Sequence, residues 1–247
     1  MTGYERYLSM MVDWSGSFLI PLAADHHDAL RQVIENNLFD LEGPRALDLP
    51  ETDEGRFFKL MFYGFVEVEE CFRTLQDMEI YLRRYPFGGT EITRVRYLRH
   101  QIGVYLNELY IFKSRLVAYL RIVERSYRNS KEAGSVKTSL KPLYKHIADG
   151  FDKIVKIRGL HVHKERYSDG ELSRLGSLEF QERIGAPQIL ADYYRLEFRR
   201  IRRSWIRKAR EINADVKIMF DFYCDSVHRV VTDSEGHIQY PTKATKT

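Results

Sequence analysis

The amino-acid sequence predicts an all-α fold, an antiparallel bundle of four to five long helices preceded by an N-terminal appendage of helix and loop. Apolar residues recur every three or four positions over long stretches, which is the period of an amphipathic helix. The alternating pattern of a strand is weak, and only residues 230–231 and 237–240 hint at it. Long amphipathic helices joined by short loops pack antiparallel, so a bundle follows.

The first 55 residues are predicted to form a separate acidic segment. They contain 3 Lys and Arg against 11 Asp and Glu, whereas the remaining residues contain 36 against 24. A short helix is expected over residues 25–38, with Asp25 as its N-cap, and breaking residues over 42–51 mark a loop and a domain boundary. The uneven charge favours an acidic appendage on a basic body that faces an anionic partner. An ordinary solvated surface explains the charge equally well.

Two long helices open the predicted bundle, which spans residues 56–231. The first is expected over residues 58–85, because Pro86 disfavours helix in the residue before it. The second is expected over residues 91–128, with Thr90 as its N-cap. Both keep their apolar residues on one face over many turns.

Two further helices and a tail complete the predicted chain. The polar stretch 129–139 predicts a loop, so Pro142 falls in the first turn of the third helix. Residues 167–176 predict a second loop, and the fourth helix is expected over residues 187–228. Residues from position 232 to 247 are predicted to form a turn and a flexible tail.

The segment from Ile157 to Glu165 holds the residues best suited to chemistry. Arg158 is followed, after four intervening residues, by His163. In an unbroken helix, positions five apart lie about 140° apart around the axis, so the two side chains would not face one point. Gly159 is a poor helix former, and we expect the helix to end or bend there and to bring the two side chains together.

An arginine and a histidine a few residues apart, late in a helix of a four- or five-helix bundle, form the signature of the HEPN superfamily. The run Arg-x-x-x-Val-His-Lys-Glu-Arg-Tyr from Arg158 resembles the motif segment of HEPN proteins, and helix 105–116 is similar to the helix that precedes it. The resemblance covers residues 56–226. Active members usually have a polar residue after the arginine, where this chain has Gly159. The competing interpretation is a solvated helix end whose basic side chains compensate the helix dipole.

The resemblance implies a metal-independent RNA endonuclease, of the toxin or antiviral-defence type, whose site forms at a homodimer interface. Internal attack by an RNA 2′-hydroxyl needs a proton acceptor, a proton donor and a cation for the extra phosphate charge. His163 is assigned to proton transfer, because histidine titrates near neutral pH. Arg158 is assigned to the phosphate, which a guanidinium binds in a fork. His161, Glu108 and Tyr167 are candidates for supporting roles.

The histidines of this segment do not predict a metal site. His161 and His163 lie two positions apart, and such positions point in nearly opposite directions on a helix, so the two imidazoles would not share an ion. The sequence has no zinc-ligand spacing of cysteines and histidines. It also has no glycine-rich phosphate loop, so no cofactor is expected.

Residues 195–210 form the second feature, with eight basic residues against one acid. We expect Arg199, Arg202, Arg203 and Arg207 to contact the phosphate backbone of RNA. The same apolar and basic faces could rest on an anionic membrane surface. A third interpretation is a solvated face neutralised by the acidic N-terminal segment or by another helix.

Cysteine content and hydropathy narrow the protein class. Only Cys71 and Cys224 are present, far apart in sequence, which argues against a disulfide-rich secreted scaffold and favours the cytoplasm. No apolar run is long enough to span a membrane, and the first residues lack the pattern of a signal peptide.

The expected partners are RNA, a second copy by family analogy, and an antitoxin or other protein. The alternative function is a non-catalytic HEPN-like helical adaptor that dimerises or binds RNA or a partner protein.

Overall fold

A computed structural model describes residues 1–25, 27–38, 40–44, 52–86, 91–163, 170–185 and 187–242, with only the backbone described for residues 25, 30 and 153–163. This part of the chain contains seven α-helices and no strand. They are α1 (Gly3–Asp25), α2 (His27–Leu38), α3 (Asp53–Arg83), α4 (Arg94–Ser126), α5 (Ala133–His163), α6 (Gly170–Arg183) and α7 (Gln188–Val231). The prediction of an all-α fold is confirmed, and the four predicted long helices correspond to α3, α4, α5 and α7.

The N-terminal helix α1 was not predicted, and the short helix expected over residues 25–38 begins at His27 instead of Asp25. Tyr7 and Met11 are buried on α1, with exposed fractions of 0% and 1%, so this helix contributes to a core. Pro21 lies inside α1 and obscures the helical pattern in the sequence. A Cβ at Gly3 would collide with the carbonyl oxygen of Asp221, so only glycine fits this close approach.

Two stretches predicted to be loops contain the beginning of a helix. The stretch 129–139 was expected to be a loop, but α5 begins at Ala133, so Pro142 lies inside that helix instead of in its first turn. The stretch 167–176 was also expected to be a loop, but α6 begins at Gly170. Both errors have the same cause: a few apolar side chains suffice to bury one face of a mainly polar helix. They are Val136 and Leu140 on α5 and Leu172 and Leu175 on α6.

Threonine side chains begin two of the long helices. The Thr52 hydroxyl accepts a hydrogen bond from the Gly55 amide at 3.0 Å and caps α3, which therefore begins before the predicted Phe58. The Thr93 hydroxyl accepts from the Arg96 amide at 3.2 Å and caps α4. Thr93 thus has the role predicted for Thr90, which lies outside the described residues.

The chain divides into two compact units. Unit 1 comprises residues 1–66, 118–144 and 220–247, and unit 2 comprises residues 67–117 and 145–219. The predicted boundaries after residues 55 and 231 both fall within unit 1. The acidic N-terminal segment therefore belongs to a larger unit that also includes parts of α4, α5 and α7.

Unit 1 has an aromatic core. The Tyr7 and Tyr119 hydroxyls are 2.5 Å apart, and Tyr7 meets Phe65 edge-on with ring centroids at 4.8 Å. After α7 the chain folds back, with a bridge between Thr232 and Ile238, and Ile238 is buried. The segment predicted as a flexible tail is thus folded into unit 1 up to residue 242, and residues 243–247 lie outside the described part.

Unit 2 combines an aromatic cluster with a buried polar network. Phe112 of α4 lies 6.1 Å, between ring centroids, from both Phe72 of α3 and Phe151 of α5. The Tyr105 hydroxyl donates to the Asn213 side-chain oxygen at 2.9 Å, and the Asn213 amide donates to the Leu75 carbonyl at 2.9 Å. These contacts fix α3, α4, α5 and α7 together, and the hydrogen bonds satisfy the buried side chains of Tyr105 and Asn213.

Candidate functional site

The predicted catalytic residues belong to the C-terminal turns of α5. Arg158, His161 and His163 are all within this helix, whose last residue is His163. The helix therefore does not end at Gly159, and a bend at that glycine stays a prediction. The side chains of residues 153–163 lie outside the described part, and so does the whole of Tyr167. The distance between the Arg158 guanidinium and the His163 imidazole accordingly stays a prediction as well.

The part of α5 that leads to the motif is firmly packed. Phe151 is only 2% exposed and contacts Phe112 edge-on. On the next face, a Cβ at Gly150 would lie 3.6 Å from the Met219 sulfur, so α5 also approaches α7 closely. Arg158 follows Phe151 after about two helical turns. The backbone of the motif therefore continues from a segment anchored on α4 and α7.

Glu108, a candidate supporting residue, is a partly buried carboxyl on α4. Burial raises its pKa above the ordinary value for glutamate. Burial also raises the pKa of the nearby Cys71 thiol, an effect that Arg115 opposes and the Glu108 carboxylate reinforces. Arg115 itself pairs with Glu67 at 2.7 Å. A carboxyl that ionises less readily than usual is suited to proton exchange.

Many basic side chains of the segment 195–210 are already engaged. Four arginines of this segment pair with carboxylates within unit 2, and they are Arg195, Arg200, Arg207 and Arg210. The Lys208 ammonium lies 4.7 Å from the centroid of the Trp205 ring. The interpretation of this face as one neutralised by other helices therefore holds for Arg195, Arg200 and Arg210, which pair with acids of α6 and α3. Arg207, a predicted RNA contact, pairs instead with Glu211 of α7 itself, at 4.0 Å.

The three other predicted RNA contacts differ in their surroundings. The Arg202 Nε donates to the Leu82 carbonyl at 3.0 Å near the end of α3, and burial lowers the pKa of Arg202. Arg202 therefore already stabilises a helix end. Arg199 and Arg203 are exposed, and neither has a carboxylate within ion-pair distance among the described residues. With respect to the described part of the chain, these two arginines are available to an anionic partner.

The charge asymmetry of the sequence follows the two units. Unit 2 contains 25 Lys and Arg against 18 Asp and Glu, a formal net charge of +7. Unit 1 contains 14 against 17, a formal net charge of −3. Unit 2 also includes α5 from residue 145 to its end, so the motif residues belong to the positively charged unit.

Glu179 of α6 is a positioning residue that the sequence did not reveal. Its carboxylate accepts from the Tyr194 hydroxyl at 2.7 Å and from the Val95 amide at 3.1 Å. The same oxygen thus joins the first turn of α4 to the second turn of α7. Burial, together with the hydrogen bond to Glu179, raises the pKa of Tyr194 above the ordinary value for tyrosine. A single glutamate in a polar stretch carries no sequence signal for this role.

The described residues include no group of three His, Cys, Asp or Glu side chains placed to hold a metal ion. Within the same part of the chain, no helix is both long and apolar enough to cross a membrane.

No protein-family model, no curated protein and no solved structure matches this chain. The HEPN resemblance accordingly rests on the residues quoted above and on the all-α fold.

Proposed function

We propose that this protein is an HEPN-like RNA endonuclease that needs no metal ion, with Arg158 and His163 at its reacting site. The observation that carries the proposal is that both residues belong to the last turns of α5, in the unit with a formal net charge of +7. Exposed Arg199 and Arg203 belong to the same unit. RNA is a polyanion, and arginines without acidic partners supply affinity for its backbone.

The chemistry follows from the two residue types. His163 in its neutral form accepts the proton of a 2′-hydroxyl, which attacks the adjacent phosphorus. Arg158 stabilises the negative charge that grows on the phosphate oxygens. The bond to the 5′-oxygen then breaks, and a protonated histidine donates a proton to that leaving group. Because one imidazole cannot fill both roles at once, a second copy of the chain supplies the other histidine.

Glu108 is assigned an orienting role in this proposal. The loop between α4 and α5 is short, so the two helices are antiparallel neighbours, and Phe112 contacts Phe151. Because the helices are antiparallel, moving one turn back along α4 from Phe112 to Glu108 corresponds to moving one turn forward along α5, to about residue 155. Arg158 follows within the next turn. The Glu108 carboxyl is therefore at a suitable height to receive a hydrogen bond from the motif arginine.

The decisive assay is cleavage of structured and unstructured RNAs by the purified protein in excess chelator. The proposal predicts chelator-resistant cleavage with products that carry a 2′,3′-cyclic phosphate and a 5′-hydroxyl, because the 2′-oxygen is the nucleophile. Absence of cleavage, or cleavage restored only by added divalent metal ions, would contradict the proposal.

The exposed arginines provide a second prediction. Changing Arg199 and Arg203 to glutamine is expected to weaken RNA binding and to flatten the dependence of log affinity on log salt by about 0.7 per arginine. Fluorescence anisotropy of a labelled RNA over a salt series measures both effects. The matched control changes the exposed Arg121 and Arg128 of unit 1, which removes the same charge. Equal slopes for the two double variants would exclude a specific role for Arg199 and Arg203.

The alternative function, a non-catalytic adaptor, is favoured by exposed apolar side chains on α6 and the start of α7. Phe180 is 62% exposed, Ile189 76% and Leu196 63%. Exposed patches of large apolar side chains often mark a protein interface. The adaptor function predicts a stable dimer in sedimentation together with no RNA cleavage, whereas the nuclease function predicts both dimer and cleavage.

A further inference from the structure

Unit 1 contains a cavity of about 780 Å³ that is separate from the motif on α5. Its walls come from α1, from the start of α3, from the C-terminal part of α7 and from the chain that folds back after α7. Three aromatic rings line it, those of Trp14, Phe18 and Tyr240. Pockets of this size and composition are typical of small-molecule sites.

The aromatic walls are held by contacts behind them. The Trp14 indole N–H donates to the Tyr240 hydroxyl at 3.2 Å. Phe18 stacks on Phe58 with ring centroids 4.2 Å apart, and the ring centroids of Trp14 and Phe58 are 4.9 Å apart. The Tyr240 ring also packs on the Phe57 ring, with centroids 5.1 Å apart. The ring faces that line the cavity are therefore fixed before a ligand binds, which reduces the entropic cost of binding.

The cavity has an excess of negative charge. Three carboxylates line it, those of Asp13, Glu54 and Glu235. The Glu54 carboxylate lies beside the Tyr240 hydroxyl and, together with burial, raises the pKa of Tyr240.

Met1, Arg6, His228 and His237 also line the cavity, and their positive charge offsets the three carboxylates only in part. Arg6 is engaged with Asp225 at 2.8 Å. Burial and the neighbouring Arg6 lower the pKa of His228, so this imidazole takes up a proton less readily than an ordinary histidine. The Nδ1 atom of His237 lies 3.6 Å from a carboxylate oxygen of Glu235, which is one of the three lining acids.

We propose that this cavity binds an organic cation, an ammonium or guanidinium group carried on an apolar or aromatic body. The faces of aromatic rings attract cations, and the carboxylates add a favourable potential for positive charge. The same carboxylates repel phosphates, so this site is chemically distinct from an RNA-binding surface. The cation can belong to a free small molecule or to an arginine or lysine side chain of a peptide.

Trp14 provides a direct signal for binding. The chain contains two tryptophans, so a Trp205→Phe variant leaves Trp14 as the single tryptophan, which is excited selectively at wavelengths that tyrosine does not absorb. Titration with benzyltrimethylammonium is expected to change the Trp14 fluorescence saturably. The affinity for this cation is expected to be at least about tenfold higher than the affinity for benzyl alcohol. Benzoate is expected not to bind. Acetyl-arginine amide stands for the arginine side chain of a peptide. Tighter binding of this probe than of benzyltrimethylammonium would assign the site to a peptide side chain.

The carboxylates are tested by isosteric amides in the same Trp205→Phe background. Asp13→Asn, Glu54→Gln and Glu235→Gln together are expected to weaken benzyltrimethylammonium binding by about tenfold. The matched control removes three acids of unit 1 that do not line the cavity, with Asp28→Asn, Glu35→Gln and Glu42→Gln, and is expected to bind as the parent does. Equal binding by the two triple variants, benzoate binding as tight as that of the cation, or no saturable signal would overturn the proposal. Thermal melting by circular dichroism verifies that each variant is folded.

Discussion

The His163→Ala variant is expected to cleave RNA at least about a hundredfold more slowly than wild type in excess chelator, because a positioned proton-transfer group contributes a factor of this size. Arg158→Ala is expected to cause a loss of similar order, since the charge of the transition-state phosphate would lose its partner. Arg158→Lys keeps the charge but loses the forked donor geometry, so partial activity is expected. Initial rates on one labelled RNA measure all three effects.

The control for this prediction is His100→Ala. His100 is an exposed histidine on α4 in unit 2, and it is expected to be dispensable for cleavage. All variants should melt within a few degrees of wild type, which excludes unfolding as the cause. Wild-type rates for His163→Ala and Arg158→Ala would remove both residues from the reaction, and a loss that follows the melting temperature would reduce their role to stability.

The Phe112→Ala variant is expected to lower the free energy of unfolding by about 3–5 kcal/mol. The Phe112 ring is fully buried and lies between Phe72 and Phe151, so its removal leaves a cavity among three helices. Phe151 would lose the contact that anchors α5 ahead of the motif, and cleavage is expected to fall with stability. Urea unfolding followed by circular dichroism measures the change.

Phe180→Ala is the matched control for Phe112→Ala. It makes the same chemical change at a side chain that is 62% exposed on α6 in unit 2. Its effect on the free energy of unfolding is expected to stay within about 0.5 kcal/mol. Similar losses for the two variants would show that the cluster around Phe112 does not govern the stability of unit 2.

The long helices could be predicted because their apolar faces repeat over many turns. The stripe of α7 illustrates this, since its predicted members Tyr194, Phe198, Ile201 and Trp205 are all buried. A signal repeated over so many turns outweighs single polar exceptions. The ends of these helices were less accurate, because the caps depend on one hydroxyl, as with Thr52 and Thr93.

The short or proline-containing helices could not be predicted in the same way. The buried residues of α6 are Leu172 and Leu175, too few to stand out from a polar background. The helix α1 does carry a signal, because Tyr7, Met11, Trp14 and Phe18 follow steps of three and four, but Pro21 hides it. Tertiary packing, which the local pattern does not contain, decides both helices.

The candidate site depended even more on distant residues. Which arginines of α7 are neutralised is decided by acids far away in the sequence, such as Glu79 for Arg210 and Glu171 for Arg200. The buried pair Tyr105 and Asn213 is likewise invisible to a local pattern. The sequence could identify the types of residue suited to RNA chemistry, whereas their availability is a property of the folded chain.

The central claim is that Arg158 and His163 act together as a metal-independent centre for RNA cleavage. The most direct test compares chelator-resistant cleavage rates for wild type, Arg158→Ala, His163→Ala and the double variant. When two residues act as a unit, the rate losses caused by changing each of them do not add up in free energy. The double variant should therefore cleave about as slowly as the slower single variant. A wild type that does not cleave in chelator, or a double variant whose loss is the product of the two single losses, would contradict the claim.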